Sequence, residues 1–521
     1  MSRLHIDQPT LDELPGINAE NSPRKLAFAD PNEEVTWEEF EERSRQAAGS
    51  FDDHVQSGDR VAFLCDASVD HTVLWSGAVR TGSVVSHLHT MSSPDTVQYC
   101  IDELGPRVLV ISDAYADFFH ERVRDDLRTS IDTVVVIGES DYDYMVPHGE
   151  FVADGPNEAP DVLIEPNDLA VVAWTSGTTG RPKGWCHTHR TITLKAKYVS
   201  RVTGLIRTST KIASYAPSFM AWYNSVTPVL LTGASLVLLE DWDPQRWAAH
   251  ADAYEATHAG LVPTMWKEVL ELDRDEYALD SFRRITFGGE KIDESTLERL
   301  REEICDDVHN GYASTEIDVA SMFNDEMEGE RIESVGKPTG GTRVRIVEID
   351  GSPEDTVPPN EIGEIIVKSP DCPAWAWRDG EKLDEYFTDG WWYPGDLGYK
   401  DEDGYLFLEG RKDFMIKSKG AKVFPAPIES ALNDHPRVNE AIVVGVPDDE
   451  YGQKVTAIVN ADGALDASEL DEWTLESDRV ARFERPREYH FVDWSIPRTS
   501  SNKLDRTTAL NRVTSDEDTD R

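Results

Sequence analysis

An apolar strand that runs directly into a loop of hydroxyls and glycines constrains this chain more than any other feature. Leu169-Ala170-Val171-Val172-Ala173-Trp174 has the length and composition of a short buried strand. Thr175-Ser176-Gly177-Thr178-Thr179-Gly180-Arg181-Pro182-Lys183-Gly184 follows it without a break. Glycines let backbone N–H groups approach an anion, hydroxyls add donors and a lysine adds charge, so this segment is suited to hold phosphate. It is not the common P-loop, which needs Ser or Thr directly after its lysine, because Lys183 is followed by Gly184. A flexible Gly/Thr linker is disfavoured, since linkers rarely follow a hydrophobic strand or end in Pro-Lys.

The flanking pattern predicts α/β structure. Thr36 is a candidate helix cap with Glu39 three residues on, at the start of an amphipathic segment. Val61–Leu64, Val108–Ile111 and Thr133–Ile137 read as buried parallel strands, separated by helical stretches. Asp154–Pro160 reads as a loop before the phosphate strand, and Leu236–Leu239 and Ile285–Gly289 continue the sheet pattern. From about Arg343 the chain turns to short strands, Val344–Val347 and Gly363–Val367, expected to form a small β subdomain. Beyond Asp413 a further α+β pattern carries Ala441–Val444 and Lys454–Val459 as strands.

Charge sets the expected environment. The chain has 521 residues, 99 Asp plus Glu, 51 Lys plus Arg and a formal net charge of −48. Only 17 of the basic residues are lysine. Such a charge repels itself in dilute buffer, whereas multimolar salt shrinks the Debye length to ~3 Å and removes the penalty. The acids are spread along the chain, apart from the short run Ser515–Asp518, so the pattern predicts the cytoplasmic protein of a halophile. The sign of the field disfavours nucleic acid as a partner. Five scattered cysteines without a CxxC pair disfavour a disulfide framework or zinc site. Neither a signal peptide nor a transmembrane run is expected. The scarcity of lysine draws attention to Lys183, Lys503 and the group Lys412, Lys417, Lys419 and Lys422.

Further strings follow in chain order: Gly288-Gly289-Glu290, Asn310-Gly311-Tyr312-Ala313-Ser314-Thr315-Glu316, Trp391-Trp392-Tyr393-Pro394-Gly395-Asp396, Gly410-Arg411-Lys412-Asp413, and Pro497–Arg506 with Lys503. With the phosphate loop they resemble the adenylate-forming superfamily of acyl-CoA synthetases, peptide-synthetase adenylation domains and luciferases, over nearly the whole chain. The resemblance implies a large N-terminal domain of parallel α/β sheets with a small β subdomain, residues 1–410. A small mobile α+β domain, 411–510, and an acidic tail, 511–521, would follow.

It also implies roles. Thr175, Ser176, Gly177, Thr178, Thr179, Gly180 and Lys183 would hold the phosphates of ATP. Gly288, Gly289 and Glu290 would line the adenine side, and Tyr312 would lie against adenine. Thr315 would meet the α-phosphate and Glu316 would hold Mg²⁺, a hard cation suited to one carboxylate plus phosphates. Asp396 would accept from both ribose hydroxyls, which suits a group with two acceptors. Arg411 would contact the nucleotide, Asp413 would be the hinge, and Gly420 would let a loop pass close to CoA. Lys503 would neutralise charge as pyrophosphate leaves. Three departures stand out: Ala313 for glycine, Pro394 for threonine, and Asn502 for glycine, the last tolerable because Asn accepts left-handed backbone.

The expected activity is ATP-dependent formation of an acyl-AMP and transfer of the acyl group to CoA. Thr178, Lys183, Glu316 and Lys503 would be its catalytic residues, acting by positioning and charge neutralisation. The acyl pocket is read from Phe219, Met220, Trp222 and Tyr223. Amino-acid-activating relatives place an aspartate after this phenylalanine, and Met220 cannot pair with an ammonium. A medium-chain fatty or aryl acid is therefore expected. Two alternatives stay open: an acyl-AMP ligase that loads a carrier protein, and a nucleotide-binding protein of the same fold without turnover. Oligomeric state is left open.

Overall fold

The computed structural model describes residues 9–155, 158, 160–175, 181–273, 275–289, 292–315, 322–324, 329–339, 341–377, 387–463, 465–477, 480–498 and 504–519. The chain forms two compact units, Met1–Arg343 with Lys368–Tyr386, and Val344–Val367 with Phe387–Arg521. The expected boundary at 410/411 is one of movement, which the packing of each unit does not test.

In the first unit, one sheet runs in the order Trp375–Ala376, Lys183–Thr188, Leu169–Thr175, Val84–His87, Arg60–Leu64, Val108–Ser112, Thr133–Ile137, Met145–Pro147. Its central pairs are parallel, as expected of Val-rich strands covered on both faces. Alternation sorts the side chains. Val61, Phe63, Val85, Val110, Val171 and Ala173 belong to one core, and Ala62, Leu64, Val84, Leu109, Ile111 and Val172 to another. A second sheet contains Leu26–Ala29, Ser235–Leu238, Thr210–Ala213, His258–Leu261, Arg284–Gly288 and Val308–Tyr312, parallel along that path. The helix Trp37–Asp52 opens on the capping box anticipated at Thr36, whose hydroxyl accepts from Glu39 N while Glu39 accepts from Thr36 N.

One of the pairs that depart from the parallel pattern bears on the site. Lys183 does not merely close the segment expected to hold phosphate; it begins a strand that returns antiparallel to Leu169–Thr175, with Thr175 and Lys183 as register partners. A short loop can join only antiparallel neighbours, because a parallel return needs a crossover of a dozen residues or more.

In the second unit, Asp396–Lys400 pairs antiparallel with Leu406–Arg411 and with Gly363–Lys368. A further sheet pairs Ile416–Ser418, Ala421–Val423, Val438–Asp448, Gly452–Ala461 and Glu488–Val492. Residues 511–519 of the expected tail continue the helix Arg506–Thr519. Ala509 and Val513, four apart and therefore on one helix face, are buried beside Ile442, Ile458 and Ile496. All five cysteines are free thiols. Among the described residues no helix is long and apolar enough to cross a membrane.

Candidate active site

The antiparallel register fixes both ends of the segment expected to hold phosphate. Thr175 Oγ1 accepts from Trp185 Nε1 over 3.0 Å, which orients the hydroxyl at the strand end. The residue after Lys183 is glycine for a packing reason: a Cβ at position 184 would lie 3.0 Å from both Val172 Cγ1 and Trp377 Cβ. The Ser or Thr of a common P-loop would press on both neighbours there. Arg181 lies over the Tyr99 ring, 5.2 Å from its centroid. Ser176, Gly177, Thr178, Thr179 and Gly180 lie outside the described residues.

Two neighbouring parallel strands bring together the next pair of motifs. Gly288 ends Arg284–Gly288 and is the register partner of Gly311, one residue before Tyr312 ends Val308–Tyr312. A Cβ on Gly288 would come within 2.4 Å of the Gly311 carbonyl oxygen. Gly289 has φ +85°, a left-handed conformation that breaks the strand. Gly288, Gly289 and Tyr312 thus cluster at the carboxyl ends of adjacent strands, the usual ligand edge of a parallel sheet. Thr315 follows, half-buried. Glu290 and Glu316 lie outside the described residues.

The second unit holds its own group. Arg411 Nη1 donates to Asp396 Oδ1 over 3.0 Å, and Arg411 Nη2 stands 3.7 Å from Asp413 Oδ2. Lys412, one of the lysines singled out above, is tied to buried Glu364 at 2.9 Å and to Asp350 at 2.7 Å. Burial lowers its basicity, but these two carboxylates outweigh that and raise it. Gly420 has φ +82° with nothing within 4 Å of its absent Cβ; with Lys419, φ +48°, it makes the tip of the Ile416–Ser418/Ala421–Val423 hairpin. Its glycine is explained by backbone conformation. Lys503 lies outside the described residues.

The expected acyl-pocket residues divide by burial. Met220, Trp222 and Tyr223 belong to the main core of the first unit, on the helix Met220–Thr232. Phe219 is half-buried and meets the His89 ring edge-on at 4.5 Å. Sequence reasoning missed a buried polar chain here: His71 Nε2 and His87 Nε2 share a hydrogen bond at 2.9 Å, and His87 Nδ1 shares one with Tyr223 Oη at 2.8 Å. Burial pushes His71 down to about 3 and His87 well below the usual imidazole range, so both are neutral. It also missed His187 and Lys195, both buried. The available signal was Lys195 itself, set between Ile192 and Val199 at helical spacing in a chain poor in lysine.

Comparison with known proteins gives the family and the fold. The sequence profile "AMP-binding enzyme" matches residues 17–372, and "AMP-binding enzyme C-terminal domain" matches 427–503. A feruloyl-CoA synthase from an Amycolatopsis species is 30% identical over 501 residues, 95% of this chain and 97% of that one. ScoC, a fatty acid–acyl-carrier-protein ligase of Streptomyces coeruleorubidus, is 27% identical over 518 residues, 97% of this chain and 96% of that one. The crystal structure of the anthranilate CoA ligase AuaEII with anthranoyl-AMP shares the fold, with a TM-score of 0.84, 23% identity and 97% of each chain covered.

Proposed function

We infer function from the premise that the chain belongs to the AMP-binding enzyme family. It is an ATP-dependent acid–thiol ligase. The carboxylate oxygen of an acid attacks the α-phosphorus of ATP, the bond to the bridging oxygen breaks, and pyrophosphate leaves. The sulfur of CoA then attacks the acyl carbon, its proton is lost, and AMP leaves with the C–O bond electrons. The acid is a medium-chain fatty or aryl acid.

The observation that carries this is the antiparallel register of Thr175 with Lys183, which brings together the two ends of a segment rich in glycine and hydroxyls in the sequence. Little covalent help is needed, so Thr178, Lys183 and Lys503 act by holding phosphates and balancing charge. Gly288, Gly289 and Tyr312, clustered at neighbouring strand ends, suit an adenine. Asp396, steered by Arg411, suits the ribose diol. The carboxylate of Glu316 fits Mg²⁺ by its donor chemistry, hard oxygen beside substrate phosphates. When bound, that ion neutralises phosphate charge. The small domain brings Lys503 for the first step and turns about Asp413 to admit CoA past Gly420. The protein works in the cytoplasm of a halophile.

A second reading has support of its own. ScoC, similar along nearly its whole length, acts on an acyl carrier protein. Supplying CoA and measuring thioester separates the two acceptors.

The test of the ligase assignment is Lys503→Ala. Acyl-AMP formation should fall ~10²-fold or more, the usual loss for one charge stabiliser. Thioester formation from supplied acyl-AMP should largely persist. Equal loss in both steps would remove Lys503 from its role, and absence of pyrophosphate release from the wild type with every acid would remove the ligase assignment.

A further inference from the structure

Two polar side chains in the first unit are buried without a partner, close to one another and beside the site. Lys195 is 1% exposed and its Nζ has no hydrogen bond; His187 is 0% exposed and neither ring nitrogen has one. The backbone at Thr315 faces the His187 ring, short of hydrogen-bond geometry. Burial first, then the neighbouring Lys195 ammonium, hold His187 far below the ordinary imidazole range, so the ring is neutral and has one donor and one acceptor nitrogen.

Both sit on elements next to the expected acyl-pocket helix Met220–Thr232. His187 is the register partner of Val171, so the two share a face of the sheet. Val171 belongs to the core that contains Met220, Trp222 and Tyr223. Lys195 lies two turns into the helix His189–Thr203, which packs along the helix Met220–Thr232. The pair is removed from the segment expected to hold phosphate, since His187 is four residue steps along the strand from Lys183, about 13 Å.

An ammonium offers three donors and no acceptor, and burying it without a partner is among the costlier arrangements in a protein. Among the described residues nothing uses this one: a Met at 195 would fill the same space at no electrostatic cost. A ligand that brings an acceptor resolves the cost. We propose that Lys195 and His187 form the far wall of the acyl pocket and hold an oxygen carried by the acid itself, a ring hydroxyl or a second carboxylate distal to the one activated. This rests on the ligase reading and narrows it, from an apolar acid to one with an apolar body and an oxygen at its far end. The Thr315 backbone beside His187 places that end within a single ring or short chain of the reacting carboxylate.

The experiment is ATP–pyrophosphate exchange by the full chain in molar KCl. The probes are benzoate, 3-hydroxybenzoate, 4-hydroxybenzoate and terephthalate, with hexanoate against adipate. At least one oxygen-bearing acid should exceed its parent in kcat/KM by ~10-fold or more, as expected where a buried polar group is otherwise unpaired. The hydroxybenzoates and the diacids separate the two sources of the oxygen. In Lys195→Met the ratio should fall to near one. Preference of the wild type for the parent acids, or a ratio unchanged in Lys195→Met, would overturn the proposal.

A binding readout separates this inference from the ligase reading. The rise in melting temperature on adding 3-hydroxybenzoate, 4-hydroxybenzoate, terephthalate or adipate, without ATP, should exceed that from its parent acid in the wild type only. If no acid is turned over but that difference is seen, the ligase reading fails and the Lys195 site stands. If parent acids are turned over best, the ligase reading stands and the site fails. Should Lys195→Met not fold, as judged by circular dichroism, the wild-type ratio and the same loss in His187→Leu decide.

Discussion

Arg411 Nη1 donates to Asp396 over 3.0 Å, and the two residues are register partners on antiparallel strands. The pair is therefore set by the backbone before any ligand arrives. Gly395, φ +78°, and the Lys412 N–H bond to the Gly395 carbonyl at 2.8 Å hold the turn that leads into it. A carboxylate held in this way meets a vicinal diol with little reorganisation.

Asp396→Asn should weaken ATP binding ~10- to 100-fold, the loss expected for one or two bonds to a charged acceptor. Arg411→Gln should have a smaller effect in the same direction, because the carboxylate keeps its charge and loses its orientation. Titration calorimetry with ATP reads both. Wild-type affinity in Asp396→Asn would show that the ribose lies elsewhere.

Gly288→Ala tests the adenine-side cluster. Its Cβ would press to 2.4 Å of a backbone oxygen, which no rotamer can relieve. The strands ending at Gly288 and Tyr312 must spread, at ~1–3 kcal/mol for overpacking. Nucleotide affinity should drop with stability, seen together as a lower melting temperature and a smaller stabilisation by ATP. A variant with wild-type values for both would mean that this edge tolerates displacement and does not bind the base.

The sequence disclosed most of this frame, for reasons visible in particular residues. Thr133–Ile137 matches its strand to the residue, and Val108–Ser112 runs one past its expected end, because short apolar runs rich in Val and Ile suit a parallel sheet covered on both faces. Lys183 was harder: its charge suggested loop chemistry and hid that it starts a strand. The residues of Asp154–Pro160 were expected to be loop, yet Asp154 still closes the helix His148–Asp154. Trp222 and Tyr223 could not be assigned to core or pocket from spacing, since both environments select the same side chains. Lys195 left a trace in its spacing between Ile192 and Val199, but His187 left none: a single polar residue on an apolar face acquires meaning only when its surroundings are known.

Salt dependence is the clearest prediction from charge. Repulsion from a net charge of −48 should be uncompensated in dilute buffer. Dialysis from molar KCl to low salt should lower the melting temperature sharply or abolish the cooperative transition in circular dichroism. Surface ion pairs will not rescue the fold, as each is worth ~1 kcal/mol at most. An unchanged transition in dilute buffer would refute adaptation to high salt.

Acid and alkali should act through different histidines. His148 Nε2 lies 3.1 Å from Asp70 Oδ2; that bond outweighs burial and raises the histidine's pKa. A base raised on folding stabilises fully below its unfolded pKa of ~6.5, and that contribution is lost as pH rises through the folded value. The stability gap between wild type and His148→Gln should therefore be widest near pH 6 and close on the alkaline side. His71 runs the other way. Burial pushes it down to about 3, so below ~6.5 the unfolded chain takes a proton that the folded chain refuses. His189 and His258, each pushed down to about 4 by burial first, add to the effect. Stability should fall as pH drops from 6.5 towards 4.5, by up to ~1.4 kcal/mol per pH unit for each such histidine. Urea melts in molar KCl across pH 4.5–8.5 would show both limbs. A flat acid limb would mean that these rings are hydrated and protonated in the folded protein.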